Sequence, residues 1–175
     1  MDAFWSHGYS RTSPALLANA TGIAKGSLYN AFTSKRALFE RCLDLYHSQV
    51  KEMAQQLLEH DGSTRECLRH ALKSVVDGDL ARPQRRGCLI GNTAVELAGE
   101  DAEIAQKLRR MQDESTGWFA ARIQQGQCDG DVAPDRDAQA LAEHFANTLA
   151  GLRVMAMNHE APILYRMIDT ALTVL

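Results

Sequence analysis

The chain lacks most of what would mark a membrane protein, a secreted protein or an enzyme. None of its uncharged runs approaches the ~18–20 apolar residues that a membrane span needs, so no membrane partner is expected. Residues 1–7, MDAFWSH, have neither the basic n-region nor the apolar h-region of a secretory signal, which leaves the cytoplasm as the default compartment. Four cysteines (Cys42, Cys67, Cys88 and Cys128) form no CxxC pair and read as free thiols in a reducing compartment. The patterns GxSxG, HExxH, GxGxxG, the P-loop and the EF-hand loop are all missing, and the histidines and acids are scattered. Cys67 and His70, at i and i+3, offer half a metal site with no second pair at ligand spacing. No catalytic residue, metal or cofactor is therefore expected. Strict period-2 alternation is absent too, which argues against sheet, and there is no repeat or low-complexity tract.

What is present is helical periodicity and an uneven distribution of charge. The 175 residues are 45% apolar and carry a net charge of −3. Residues 1–51 hold six cations (Arg11, Lys25, Lys35, Arg36, Arg41, Lys51) against three acids (Asp2, Glu40, Asp44), so a basic head precedes an acidic body. Phe39, Leu43, Tyr46, Val50, Met53 and Leu57 recur at steps of four and three along one long helix from Ser34 or Thr33. Ser63 and Glu66 form a capping-box pattern ahead of a helix that stops near Pro83. A short helix over 87–98, a longer one through Ile104 to Ile123, a loop at Gly126, Gly130 and Pro134, and two final helices over 136–158 and 161–175 complete an all-α reading.

Residues 8–32 have a different rhythm. Ser13 and Pro14 read as N-cap and first-turn residue, and Gly22 separates two short helical pieces. The first piece, Pro14 to Ala20, would bury Leu16 or Leu17 and Ala20; the second would bury Ile23, Leu28 and Phe32. Each is too short to stand alone and must lean on the long helix. In a helix-turn-helix the second helix enters the major groove, which nominates Ala24, Lys25, Gly26, Ser27, Tyr29 and Asn30. Lys25 reaches a phosphate or guanine, Ser27 either kind of base, Asn30 adenine, and Tyr29 a phosphate. Gly26 costs ~0.5–1 kcal/mol of helix stability, which makes sense if a side chain there would hold the helix off the duplex. Lys35 and Arg36 oppose the macrodipole of their own helix, and a phosphate beside Thr12 or Ser13 would reverse that penalty.

The segment GYSRTSPALLANATGIAKGSLYNAFTSKRALFERCLDLY resembles the DNA-binding head of the TetR/AcrR family of bacterial one-component transcriptional regulators. The resemblance rests on Gly8-Tyr9, Thr12-Ser13, Ala18, Gly22-Ile23, the run from Lys25 to Tyr29, Phe32, Lys35 and Leu38-Phe39 at the family's spacing. It is strong over residues 3–46. Beyond them, the run Gly87 to Asn92 followed by Glu96 looks like a segment common in the ligand domains of one branch. The resemblance implies a homodimer on double-stranded DNA carrying a palindromic operator, released when a small-molecule inducer enters the larger domain. It also implies a longer stretch before Ala3 than this chain has, so that a first helix of Met1 to His7 would bury Phe4 and little else. The expected division is a helix-turn-helix domain over 1–46 and a ligand-binding and dimerisation domain over 47–175.

The DNA-contacting set is thus Thr12, Ser13, Lys25, Gly26, Ser27, Tyr29, Asn30 and Lys35. For the body, the candidate ligand contacts are Cys88, Asn92, Met111, Trp118, Phe119 and Phe145, with Leu57, Leu89 and Met155 as further lining. Trp118 offers a flat face and Asn92 a polar handle. Arg85 and Arg86 beside Cys88 would favour a thiolate, which suggests a redox or electrophile sensor. The last two helices each show a broad apolar face, and the family resemblance implies that they form a four-helix dimer interface, with Arg153 and Arg166 at its rim. A helical dimer that binds small molecules or senses electrophiles, with weak or lost DNA binding, is the alternative reading. In the main reading a ligand pivots the long helix and spoils the ~34 Å separation of two recognition helices.

Overall fold

The computed structural model describes residues 1–58 and 60–175, the Leu57 side chain excepted. Leu57, placed by its periodicity in the cavity lining, therefore lies outside the described side chains. Among the described residues the chain is all helical: α1 (Asp2–Arg11), α2 (Pro14–Thr21), α3 (Lys25–Phe32), α4 (Lys35–Leu58), α5 (Thr64–Leu80), α6 (Leu89–Leu97), α7 (Ala102–Asp129), α8 (Ala138–Met155) and α9 (Ala161–Ala171), then a 3-10 turn over Leu172–Val174. None of these helices is long and apolar enough to cross a membrane. The chain forms two compact units. One comprises Met1–Val50 with Leu89–Leu108, the other Lys51–Cys88 with Arg109–Leu175. The first unit thus recruits α6 and the start of α7, a segment that the expected division at 46/47 kept with the body.

The first unit is organised around rings from α1 and α4. Phe4 packs on Phe39 with centroids 5.0 Å apart, Tyr9 lies 4.8 Å from the same ring, and Trp5 meets Tyr46 edge-on at 5.1 Å. Both Phe4 and Trp5 are buried, so α1 contributes two aromatic anchors where the sequence reading expected one. Leu43 of α4, Leu89, Ile90 and Leu97 of α6, and Ile104 and Leu108 of α7 are buried in the same unit. The α3–α4 turn is tight. Thr33 adopts φ 55°, a conformation that costs a β-branched residue energy, and Ser34 caps α4 by accepting from the Ala37 amide at 3.0 Å.

The second unit packs α5, α7, α8 and α9 around Leu68, Leu72, Phe119, Ile123, Leu141, Phe145, Leu164 and Ile168. The capping box at the start of α5 is present as expected, with Ser63 and Glu66 satisfying each other's amides. Serine donation holds the Glu66 carboxyl below its ordinary range. Two features differ from, or add to, the sequence reading. Gly126 does not begin a loop: α7 continues to Asp129, and the left-handed residue ending it is Gly130, at φ 83°. Gly126 is needed for space instead, because a Cβ there would collide with Thr64 Oγ1 and lie 2.5 Å from Asp131 Oδ1 and 2.9 Å from Val132 Cγ2. Asp131 is itself held in place, accepting from the Thr64 amide at 2.7 Å.

The second feature is a buried ion pair. Arg153 of α8 donates from Nε to Asp79 Oδ2 at 2.7 Å and from Nη2 to Asp79 Oδ1 at 2.9 Å, and Nη2 also reaches the Gly87 carbonyl at 2.9 Å. Both side chains are almost wholly buried. Arg153 therefore ties α5 and the chain before α6 to α8, and does not sit at the rim of an interface as expected.

Two substitutions test these constraints. Gly126→Ala should lower stability by about 1–3 kcal/mol, read as a lower urea midpoint, because the colliding neighbours include a fixed carboxylate. Asp79→Ala, which strands the Arg153 guanidinium, should cost about 3–5 kcal/mol, more than the joint replacement of both residues by apolar ones. A loss in the double variant equal to the sum of the two single-variant losses would show that the pair is not coupled.

Candidate nucleic-acid interface

The helix-turn-helix is built from local signals. Ser13 caps α2 by accepting from the Leu16 amide at 3.1 Å, and Pro14 occupies the first turn. Gly22 ends α2 at φ 68°, ψ 11°, with nothing within 4 Å of its would-be Cβ, so its backbone conformation is what demands glycine. Thr21 Oγ1 stabilises the turn by donating to the Leu17 carbonyl at 2.8 Å and accepting from the Ile23 amide at 3.3 Å. Leu17 and Leu28 are the buried anchors of the two helices. Ala20 and Ile23, expected inside, are exposed. The turn throws both outward, and Ile23, 45% accessible, becomes an apolar residue at the head of α3 that the periodicity reading missed.

On α3, Lys25, Gly26, Ser27 and Asn30 are all exposed and Tyr29 is half-buried, while Leu28 faces the core. Among the described residues, no side-chain hydrogen bond or ion pair occupies Lys25, Ser27 or Asn30. Ala24 precedes the helix without a side-chain cap, so the first-turn amides are also uncommitted by side chains. A Cβ on Gly26 would meet nothing within 4 Å. Among the described residues, no packing calls for glycine there.

The residues expected to hold phosphate from the edges of this motif divide. Ser13 is exposed, and its cap bond leaves the hydroxyl hydrogen free to donate. Thr12 is a correction. It is completely buried, and its hydroxyl donates to the Gly8 carbonyl at 2.5 Å, with the Ala3 carbonyl at 3.3 Å. Its side chain closes the end of α1 and does not face a duplex. Lys35 is also engaged: Nζ donates to the Tyr9 carbonyl at 3.0 Å and lies 4.2 Å from the centre of the Tyr9 ring. The cost of a cation in the first turn of α4 is offset within the protein, although an ammonium keeps two further donors.

Arg36 is more fully committed. It donates to Glu40 and Glu103, each at 2.9 Å, and to both carboxylate oxygens of Asp101. Hydrogen bonding to Asp101 drives the guanidinium still further from deprotonation, and the same bond is the main cause that lowers Asp101. Lys107 and Asp44 pair at 2.5 Å, so the start of α7 meets α4 through two ionic contacts. On α6, Glu96 accepts from the Tyr9 amide at 2.9 Å and the Ser10 amide at 2.7 Å. Burial pushes this carboxyl up, but the two amides outweigh it and hold Glu96 below its ordinary value.

The expected ligand contacts do not converge on one cavity. Met111, Phe119 and Phe145 are buried, and Phe119 and Phe145 pack as core with centroids 6.4 Å apart. Asn92 is exposed and belongs to the first unit. Cys88 is half-buried, and Arg85, expected to favour its thiolate, instead donates to the His159 carbonyl at 3.0 Å and Glu160 at 3.2 Å, at the start of α9. Trp118 alone of the set lines an open cleft of about 490 Å³, together with Leu58, His60, Asp61, Arg122 and Asp129. A second open groove, of about 640 Å³, runs between α8 and α9 past His144, Thr148, Met155 and Arg166.

Comparison with known proteins agrees with this geometry. Residues 1–42 match the family model described as bacterial regulatory proteins, tetR family, and residues 64–172 match the tetracyclin repressor-like C-terminal domain. The HTH-type transcriptional repressor ComR of Escherichia coli K12 is 30% identical over 161 residues, covering 89% of this chain and 75% of its own. The HTH-type regulator YezE of Bacillus subtilis 168 is 28% identical, covering all of this chain and 91% of its own. A cysteine mutant of the TetR-family regulator CifR, solved with a 26-base-pair operator duplex, superposes with a TM-score of 0.89 at 33% identity, covering 98% of this chain and 91% of that one. With its exposed α3 face and these matches along nearly its whole length, the chain belongs to the TetR family of DNA-binding transcriptional regulators.

Proposed function

We propose that the chain is a repressor that binds a palindromic operator as a homodimer and leaves it when a small molecule enters the second compact unit. The observation that carries the DNA half is the face of α3, where Lys25, Gly26, Ser27 and Asn30 stand exposed, without side-chain partners among the described residues. Lys25 supplies charge for a phosphate or a guanine edge, and Asn30 and Ser27 supply hydrogen bonds for base edges. Ser13, Tyr29 and the remaining donors of Lys35 flank this face for backbone contacts.

The dimer reading is supported by the α8–α9 groove and by Val154 and Met157, 62% and 47% accessible, on and just beyond α8. A two-fold pair places two copies of α3 about 34 Å apart, the spacing of successive major grooves. The Trp118 cleft falls within the ~300–1,000 Å³ typical of small-molecule sites and supports the ligand half. A ligand need only favour the arrangement in which the two α3 helices no longer match that spacing.

A mobility-shift titration against the DNA flanking the gene tests the DNA half. Retardation whose log affinity falls with log salt, by about 0.9 per phosphate contact, supports the reading, and no retardation at low salt sinks it. Gly26→Ala separates recognition from folding. It should leave stability unchanged or raise it by up to about 1 kcal/mol, because the site is open and alanine is the better helix former. Affinity for the operator should nevertheless fall. Lys25→Ala should flatten the salt dependence by about one unit if Lys25 meets a phosphate.

A further inference from the structure

The polar groups at the corner between α1 and α2 are held from an unexpected direction. Gly8, at φ 77° and ψ 171°, interrupts α1 and opens its hydrogen-bond ladder just before Tyr9. The amides of Tyr9 and Ser10 then turn to Glu96, 87 and 86 residues away, at 2.9 and 2.7 Å. One carboxylate oxygen serves each amide. The approach depends on the missing side chain, since a Cβ on Gly8 would lie 2.6 Å from Glu96 Oε2. The carbonyls of the same corner are taken by Thr12, Lys35 and Arg11, the last through an Nε bond to the His7 carbonyl at 3.0 Å. Immediately after this corner comes Ser13, the N-cap of α2.

We propose that Glu96 is a positioning residue for operator recognition: by gripping the Tyr9 and Ser10 amides it sets where α2 begins, and through α2 the presentation of α3. The inference rests on α3 being the reading helix and adds a residue that touches no DNA. The grip is specific to a carboxylate. A glutamine of the same shape offers one acceptor and one NH₂, so one of the two amides would face a donor. Non-specific attraction to phosphates depends on charge near the duplex and tolerates a small misorientation of α3, whereas base reading does not. The site lies wholly within the first compact unit, which also contains the ionic contacts of Arg36 with Asp101 and Glu103 and of Lys107 with Asp44. Those contacts hold α6 and the start of α7 in place, so that the carboxylate arrives at a defined height along α1.

The test uses the full chain, a duplex that the wild-type protein selects from a randomised pool, and a scrambled duplex of the same composition. Selection by the wild type establishes that the chain reads sequence; failure to select any duplex would end the reading of α3 and leave Glu96 with nothing to position. Given a selected duplex, Glu96→Gln should lose affinity for it by about tenfold or more while affinity for the scrambled duplex changes less than about twofold. Equal loss on both duplexes, or no loss on either, overturns the proposal. Amide hydrogen exchange on the wild-type protein gives an answer even if the variant folds poorly. Tyr9 and Ser10 should gain protection on the selected duplex and not on the scrambled one, and unchanged protection on both would also overturn it.

Discussion

A carboxylate that accepts two backbone amides from a distant helix is the constraint on which the first unit depends. Glu96 meets Tyr9 and Ser10 only because Gly8 leaves the helix and carries no side chain, so a backbone irregularity and a long-range hydrogen bond require each other. Without that partner, the interruption of α1 would leave the part-buried Tyr9 amide unsatisfied, a cost of about 1–3 kcal/mol, and the exposed Ser10 amide to water at a smaller cost. With it, α6 becomes part of the same compact unit as the helix-turn-helix.

The cations of the basic head acquire different meanings once their neighbours are known. Six lysines and arginines in the first 51 residues suggest a surface for a polyanion. Arg36 turns out to be paired with Glu40, Asp101 and Glu103, and Lys35 is directed to the Tyr9 carbonyl and ring. These side chains shape the head more than they extend its charge. Lys25 remains exposed on α3, beside hydrogen-bonding side chains and a glycine that nothing inside the protein requires. In the proposed function, recognition is concentrated on a short helix whose own stability is modest, supported by neighbours that spend their charge on holding it.

The second unit shows the same division between local and distant causes. Its capping box at Ser63 and Glu66 was legible because the partners are three residues apart. So were the all-helical class, the α2–turn–α3 motif and the left-handed Gly22, each of which depends on neighbours within a turn or two. Gly126 was misread as a loop signal because glycine's preference for turns is local, while the reason for it here is the close approach of Thr64, Asp131 and Val132. Arg153 was expected at the rim of the dimer interface that the family resemblance implies; Asp79, 74 residues away, draws it inside. The expected ligand set failed to converge for a related reason: large apolar residues at helical spacing line cores as readily as cavities, and Phe119 and Phe145 chose the core.

By itself the sequence determined the helical class, the caps, the turn and the chemical character of the exposed α3 face, because helix periodicity, capping and left-handed glycines are settled within a few residues of chain. Only the tertiary structure decided which charges stay free, which glycine is needed for space and which carboxylate holds the end of α1. Those outcomes depend on pairs such as Glu96 with Ser10, Arg36 with Asp101 and Arg153 with Asp79, brought to hydrogen-bonding distance across 65 to 86 residues of chain. Electrostatic and hydrogen-bond energies act over a few ångströms in space, and separation along the chain carries no record of them.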